Sequence, residues 1–467
     1  MKRTVLALLL VCSMLLGLCV IASASDFDAA AQDLQQIGMF RGTGSGFNLD
    51  QEPTRAEAAV MLTRLYGAEE TAAALYESGE LSNPFTDVPA YAAPSVAWLY
   101  AQGLTKGMSE TVFGAGRACC LKDYCVFLLR ALGYQDGVDF SYANALPFAA
   151  EKGFYNPAVY SGAFLRDDLV GLTYDALCTD VKDGSTYLLK KLVDDGSIDK
   201  AAAKELLEKA EAYRAIAKAS DSFDSTAIDT DYTLDLTMTT SSAGQDSSVR
   251  IRSTGNVKFI AETFEMDYDM KLSAEGDSTQ IRMWMKDGVY YISQDGENYK
   301  LDLSQMPEMQ QLQTLMAELP SQTVSSGMSG LAYLSDIQTQ RLGSCTVYIV
   351  KIPAKTVEAL MQSAMEQTGT QEMAALLSGM DVAFTKDLTL RYTVSGETLT
   401  KIGVELGMQY NDIALLSVGN GTEDSLPYAV QMDLSMDMTI RATGSDVKIS
   451  YPDFSGFVSM DADTVAR

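Results

Sequence analysis

The chain has no histidine in 467 residues. This excludes Ser-His-Asp and Cys-His catalysis, histidine-ligated zinc and the H-E-x-x-H metalloprotease helix. An enzyme would have to work with carboxylates, tyrosine, lysine or a Ser–Lys pair. Ser197 and Lys200 do have S-x-x-K spacing, but the companion motifs of penicillin-recognising enzymes are missing. No catalytic residue, cofactor or metal site is therefore expected. Positive charge is also scarce, with 35 Lys and Arg against 62 Asp and Glu and a formal net charge of -27. Bulk electrostatic binding to nucleic acid or to an anionic membrane is excluded, so any anionic partner must be held by a few local cations. Of seven cysteines, two fall in the first 24 residues. The other five (Cys119, Cys120, Cys125, Cys178 and Cys345) are too few and odd in number for a disulfide scaffold, and are expected as small buried residues with room for one bridge. Prolines are few, at 11, and hydrophobic residues make up 47%, which predicts folded domains.

Lys2 and Arg3 precede an apolar run, Val5 to Ile21, that ends in Ala22-Ser23-Ala24. This pattern predicts a secretory signal over residues 1–24 with Ser25 starting the mature chain. A lipoprotein site is disfavoured, because Val11 and Leu18 stand where a small residue should precede Cys12 and Cys19. No later segment offers 18 consecutive apolar residues, so no membrane span is expected in the mature chain.

Residues 25–180 are patterned as short helices with an internal repeat. Phe47–Gly67 aligns without a gap on Phe113–Gly133, placing Leu62 on Leu128, Arg64 on Arg130 and Gly67 on Gly133. Leu34–Gly42 likewise aligns on Leu99–Gly107, with both glycine pairs in register, and a worn third copy runs through Gly153 into Phe164–Leu177. Thr54 after Pro53, with Glu57 three residues on, predicts a capping box, and Ala58, Met61, Leu62 and Leu65 form the buried stripe. The Glu57 position carries Asp123 and Asp168 in the other copies, as capping alone would require. The Arg55 position carries Leu121 and Arg166, with Lys122 beside the gap. A cation opposes the helix dipole there, so Arg55 and Arg166 are candidates for ligand contact, with an intrachain salt bridge as the alternative.

The order FTDV (Phe85–Val88), a helix holding Trp98, a G-x-x-x-G turn, and TRAE followed by an apolar helix resembles the S-layer homology (SLH) repeat of bacterial cell-surface proteins. The resemblance implies an all-α, pseudo-threefold repeat domain at the cell wall, whose grooves hold an anionic secondary cell-wall polymer that often carries pyruvate ketals. Carried onto this chain, it makes Thr54, Arg55, Glu57, Asp87, Trp98, Lys122 and Arg166 candidate polysaccharide contacts. Trp98 has core packing, and Asp87 helix capping, as the plainer role. The second and third copies depart from the motif, so the first is expected to bind best.

From about residue 228 the pattern alternates. Tyr428 to Ile440 puts Met432, Leu434, Met436 and Met438 on one face and Asp433 and Asp437 on the other, and Met266, Tyr268 and Met270 alternate in the same way. Asp287-Gly288 and Asp295-Gly296 predict hairpin turns. Helices are expected at about 306–319 and 356–378, covering the apolar face. Eighteen of the 23 methionines follow residue 222, which favours a pliable interior or a binding cup lined by those seven residues. YYISQDGENYKLDL after a long strand, with helices inserted before further strands, resembles the lipoprotein-carrier and glycolipid-carrier half-barrels. That implies a curved antiparallel sheet with an apolar ligand, such as a lipid, between sheet and helices; a plain methionine-rich core is the alternative.

The expected organisation is multidomain: signal peptide 1–24, repeats at 25–82, 83–136 and 137–180, a helical connector at 181–224, and an α+β half-barrel at 225–467. The expected protein is secreted, non-catalytic and bound to the bacterial cell envelope. The alternative is a purely structural surface protein without a small-molecule ligand.

Overall fold

The computed structural model describes residues 28–42, 46–157, 160, 163–242, 245–302, 336–358, 381–411 and 429–459. The expected signal peptide lies outside these residues, as do the expected helices at 306–319 and, beyond a turn at 354–358, at 356–378. The described residues form two compact units that meet in sequence at Arg214 and Ala215. No helix among them is long and apolar enough to cross a membrane.

The first unit is helical: α1 (Asp28–Gln36), α2 (Arg55–Leu65), α3 (Glu69–Glu77), α4 (Ala93–Ala101), α5 (Leu121–Ala131), α6 (Ala145–Glu151), α7 (Arg166–Cys178) and α8 (Leu188–Asp194). A ninth helix, α9 (Lys204–Asp221), spans the boundary in sequence. Three helix pairs recur: α1/α2, α4/α5 and α6/α7. The first helix of each ends on a glycine in the left-handed region, Gly38, Gly103 and Gly153, at φ of 73°, 70° and 85°. That conformation frees the next amides to bond back onto the helix, as Met39 does to Leu34 and Leu104 to Leu99, both at 2.9 Å. Each second helix starts from an extended residue: Thr54, Cys120 or Leu165. Arg64 and Arg130 play one role in two copies, giving a guanidinium N–H to the carbonyls of Met39 (2.9 Å) and Leu104 (3.0 Å). Leu34, Leu62, Leu65, Leu99, Leu128, Leu129, Tyr124 and Tyr174 fill the centre and are fully buried.

Among the described residues the second unit is one twelve-stranded sheet, built from β1 (Ala227–Ser242), β2 (Gln245–Ile260), β3 (Glu265–Ala274), β4 (Asp277–Lys286), β5 (Val289–Gln294), β6 (Glu297–Asp302), β7 (Asp336–Leu342), β8 (Cys345–Ile352), β9 (Asp381–Ser395), β10 (Thr398–Asn411), β11 (Ala429–Thr443) and β12 (Val458–Ser459) in the order β12-β6-β5-β4-β3-β2-β1-β11-β10-β9-β8-β7. Two antiparallel meanders, β1 to β6 and β7 to β11, join where β1 pairs with β11. The sheet is curved and unclosed, with β12 and β7 as its edges. The expected hairpin turns form: Asp287, Gly288, Asp295 and Gly296 all have positive φ, as two-residue turns between twisted strands require.

Candidate functional site

The capping box forms as expected. Thr54 Oγ1 accepts the Glu57 N–H at 3.2 Å, and Glu57 Oε2 accepts the Thr54 N–H at 2.8 Å. The arginines hold neighbouring copies together. The Arg55 N–H donates to the Arg117 carbonyl at 2.8 Å and its Nε to the Phe113 carbonyl at 3.4 Å; the guanidinium lies 5.2 Å from the Phe113 ring centroid and 3.7 Å from the Asp123 carboxylate. Arg166 repeats this arrangement one copy round the unit. Its N–H donates to the Gln51 carbonyl at 2.8 Å and its Nε to the Phe47 carbonyl at 3.0 Å, its guanidinium covers the Phe40 ring, and it pairs with Glu57. In the repeat alignment Phe47 matches Phe113, Gln51 matches Arg117 and Glu57 matches Asp123. Arg55 and Arg166 therefore make equivalent backbone and ion-pair contacts to successive copies, although their ring partners, Phe113 and Phe40, are not matched positions.

These positions bear on the two roles that the sequence left open for each residue. Arg166 is only 5% exposed and is committed to Glu57 and the Phe47 carbonyl, so it is not placed to reach a polymer. Asp87 serves as an internal clamp: its carboxylate accepts the N–H groups of Phe113 (2.7 Å), Gly114 (2.7 Å) and Ala115 (3.1 Å). Burial works against that charge, but the backbone donors outweigh it and hold its pKa below the usual range. Trp98 packs its ring against Tyr66 at 5.6 Å, beside the helical core. Lys122 lies over the Tyr142 ring at 5.3 Å. The five cysteines are free; Cys120 is exposed, whereas Cys119, Cys125 and Cys178 are buried. Burial pushes the Cys119 thiol up to about 12, which leaves it inert at neutral pH.

One cationic groove opens between the first two copies, with a volume of about 260 Å³. Arg55, Lys106 and Arg130 converge on it against a single lining carboxylate, Asp123, and Gly103 and Gly107 bring bare backbone to its wall. Gly107 has no alternative, since a Cβ there would sit 2.3 Å from the Phe85 ring. Tyr142, 49% exposed, stands at the rim and donates its hydroxyl to Asp123 at 2.8 Å, a bond that raises its pKa. Arg130 is shared with Asp136 at 3.5 Å, whereas Lys106 is exposed and has no ion pair among the described residues. Lys106 and Tyr142 were not singled out in the sequence, and Arg130 was noted only as the repeat match of Arg64. The G-x-x-x-G turn that carries Lys106 was the available signal.

In the sheet, cross-strand register puts Met266, Tyr268, Met270, Met432, Leu434, Met436 and Met438 on one face: Met438 pairs with Tyr232, which pairs with Gly255, which pairs with Met270. The face continues through Leu234, Leu236, Met283, Met285, Val350 and Leu406, all buried. Its polar exception is a hydroxyl chain: Tyr268 donates to Tyr232 at 2.8 Å, and Tyr232 lies 2.7 Å from Ser253 Oγ. The opposite face is charged in part and carries an aromatic cluster where Trp284 and Tyr291 meet Phe454 and Phe457. Asp235 pairs with Arg250 and Arg252, Asp433 with Lys386, and Glu405 with Arg391 around a shallow dish of about 500 Å³. Among the described residues no cluster of His, Cys, Asp or Glu could hold a metal ion.

Residues 183–414 match the model of a family described only as a family of unknown function, DUF6612. No curated protein matches the chain. Solved structures similar to it include LprF from Mycobacterium bovis, at 9% identity over 53% of this chain and 98% of that one, with a TM-score of 0.26. A LolA superfamily protein from Nitrosomonas europaea follows at 10% identity, 50% and 96% coverage and a TM-score of 0.13. A DUF1329 family protein from Desulfovibrio piger gives 8% identity, 48% and 91% coverage and a TM-score of 0.14. Likeness this distant assigns no ligand.

Proposed function

We propose that this is a non-catalytic, exported cell-envelope protein whose helical unit binds an anionic cell-wall polysaccharide in the groove of Arg55, Lys106 and Arg130. One observation carries the reading: three cations converge on one small groove in a chain of net charge -27. A guanidinium and an ammonium beside exposed backbone suit a sugar carboxylate, such as a pyruvate ketal, and the Tyr142 ring at the rim suits a sugar face. The SLH resemblance supports the same partner and a place at the cell surface. Arg55 also holds two copies together, so Lys106 is the cleaner probe. Lys106→Ala is expected to weaken co-sedimentation of the full chain with purified cell walls about tenfold, the worth of one charge-assisted contact. Unchanged pelleting, or binding that ignores salt between 50 and 500 mM, would sink the groove assignment.

A second reading concerns the sheet, and its observation is the continuous methionine-rich apolar face. Methionine side chains repack around apolar guests at low cost, so we propose an acyl chain or similar apolar ligand for this unit. Native mass spectrometry of the full chain after mild purification is expected to show a bound apolar mass. An apo mass together with no uptake of fluorescent fatty acid would leave the face as packing alone.

A further inference from the structure

The groove of Arg55, Lys106 and Arg130 has a counterpart one copy back, because both cations on its turn side have a repeat match. Arg41 stands at the Lys106 position of the glycine turn and Arg64 at the Arg130 position of the second helix, with Gly38 and Gly42 matching Gly103 and Gly107. Arg64 and Arg130 also donate to equivalent turn carbonyls, those of Met39 and Leu104. On the far side, Arg166 and Glu57 repeat the pair of Arg55 and Asp123. Tyr91, 61% exposed, stands against Thr54 and Glu57 much as Tyr142 stands against Asp123. Phe40 takes the Thr105 position and lies under Arg166, so the cations left to a ligand in this counterpart are Arg41 and Arg64.

The two turn-side pairs differ in what they hold. In the first copy one carboxylate bridges both cations: Glu69 Oε1 accepts from Arg64 Nε at 3.0 Å and Nη2 at 2.9 Å, and Glu69 Oε2 accepts from Arg41 Nη2 at 3.0 Å. An external carboxylate would make the same fork-matched, two-oxygen contact. An acid in the first turn of α3 also suits the helix dipole, but Glu70 serves that purpose without reaching an arginine 28 residues from Glu69. The bridge lies at the surface, where a solute can compete, since the Arg41 side chain is 62% exposed and that of Glu69 31%. In the second copy the Glu69 position is the neutral Gln135. Asp136, the match of Glu70, reaches Arg130 alone, at 3.5 Å, and Lys106 has no ion pair among the described residues.

We propose that Glu69 is a built-in stand-in for the anionic ligand, which keeps the first-copy groove self-occupied while the groove of Lys106 and Arg130 stays open. The inference rests on the reading of that open groove as a polysaccharide site. A carboxylate attached to the chain competes at an effective concentration on the order of millimolar or higher, so a free sugar carboxylate of weaker affinity does not displace it. Removing the Glu69 carboxylate turns one seat into two.

The test is titration of the full chain with a pyruvylated disaccharide, with stoichiometry read by calorimetry. The wild type is expected to bind one equivalent and Glu69→Ala two. Glu70→Ala removes the same charge from the next residue and is expected to stay at one, whereas Glu69→Ala/Lys106→Ala should fall back from two to one. One equivalent for both the wild type and Glu69→Ala would overturn the stand-in and leave the open groove intact. No binding by the wild type with one equivalent for Glu69→Ala would reject the open groove and keep the stand-in, and no binding by either protein rejects both. A second equivalent in Glu70→Ala would reduce the effect to bulk charge and overturn the proposal. Should Glu69→Ala fold poorly, Glu69→Gln, which keeps the side-chain length and an acceptor for Arg64 but no charge, carries the same expectation.

Discussion

Replacing Arg166 by alanine is expected to cost the helical unit about 3 kcal/mol, because the change strips Glu57 of its cation in a half-buried setting and leaves the Phe47 carbonyl without its side-chain donor. The ring of Phe40 also loses the guanidinium that covers it. Arg55→Ala removes the equivalent contacts from a looser junction, where the carboxylate is 3.7 Å away and the guanidinium is partly solvated, so about 1 kcal/mol is expected. The ordering distinguishes a cyclic, partly buried clamp from two independent surface pairs. Urea unfolding of the full chain, followed by exchange at α2 and α7 amides, measures both. Equal costs for the two arginines would reject the clamp, whereas Arg166→Ala/Glu57→Gln should recover part of the loss, since no carboxylate is then left unpaired.

The helix starts, the glycine turns and the alternation of the strands were legible in the sequence because each depends on neighbours within a few residues. Thr54 and Glu57 cap one helix, and Asp287-Gly288 turns one hairpin. The arginines kept two readings open, ligand contact and intrachain salt bridge, for a physical reason. Considered within its own helix, a cation at the first turn is unfavourable, which pointed toward a ligand; the compensating carboxylate belongs to the next copy, 68 residues ahead for Arg55 and 109 behind for Arg166. The capping role offered for Asp87 could not name its partners, because the three N–H groups lie 26 to 28 residues on. Lys106 and Arg130 became visible as groove residues only when the turn after α4 was brought against α5. In the sheet, the seven predicted face residues do share one side, since a period of two fixes the side without knowledge of the partner strand. The hydroxyl chain through Tyr232, Tyr268 and Ser253 depends on the register between three strands, which alternation does not encode.

That register makes Gly255 the tightest of the described glycines in the sheet. It pairs with Tyr232 on one side and Met270 on the other, beside the stacked rings of Tyr232 and Tyr268, whose centroids lie 5.6 Å apart. A Cβ at Gly255 would come within 1.9 Å of the Asp269 carbonyl oxygen, which is backbone and cannot swing aside, so β2 and β3 must separate locally. Gly255→Ala is expected to cost about 3 kcal/mol, with exchange accelerated along β2 and β3 and the Tyr232–Ser253 contact weakened. Gly403→Ala offers the contrast: its Cβ would meet Asp437 Oδ1 at 2.7 Å and Arg391 Nε at 2.9 Å, the ends of side chains that can move. A cost below about 1 kcal/mol is expected there. If the two variants unfold at the same urea concentration, the close approach of β3 to Gly255 is not what fixes the register. A large loss at Gly255 alone would show that this glycine holds the hydroxyl chain and the surrounding apolar face in place, and the same variant should then release any apolar ligand found on the native chain.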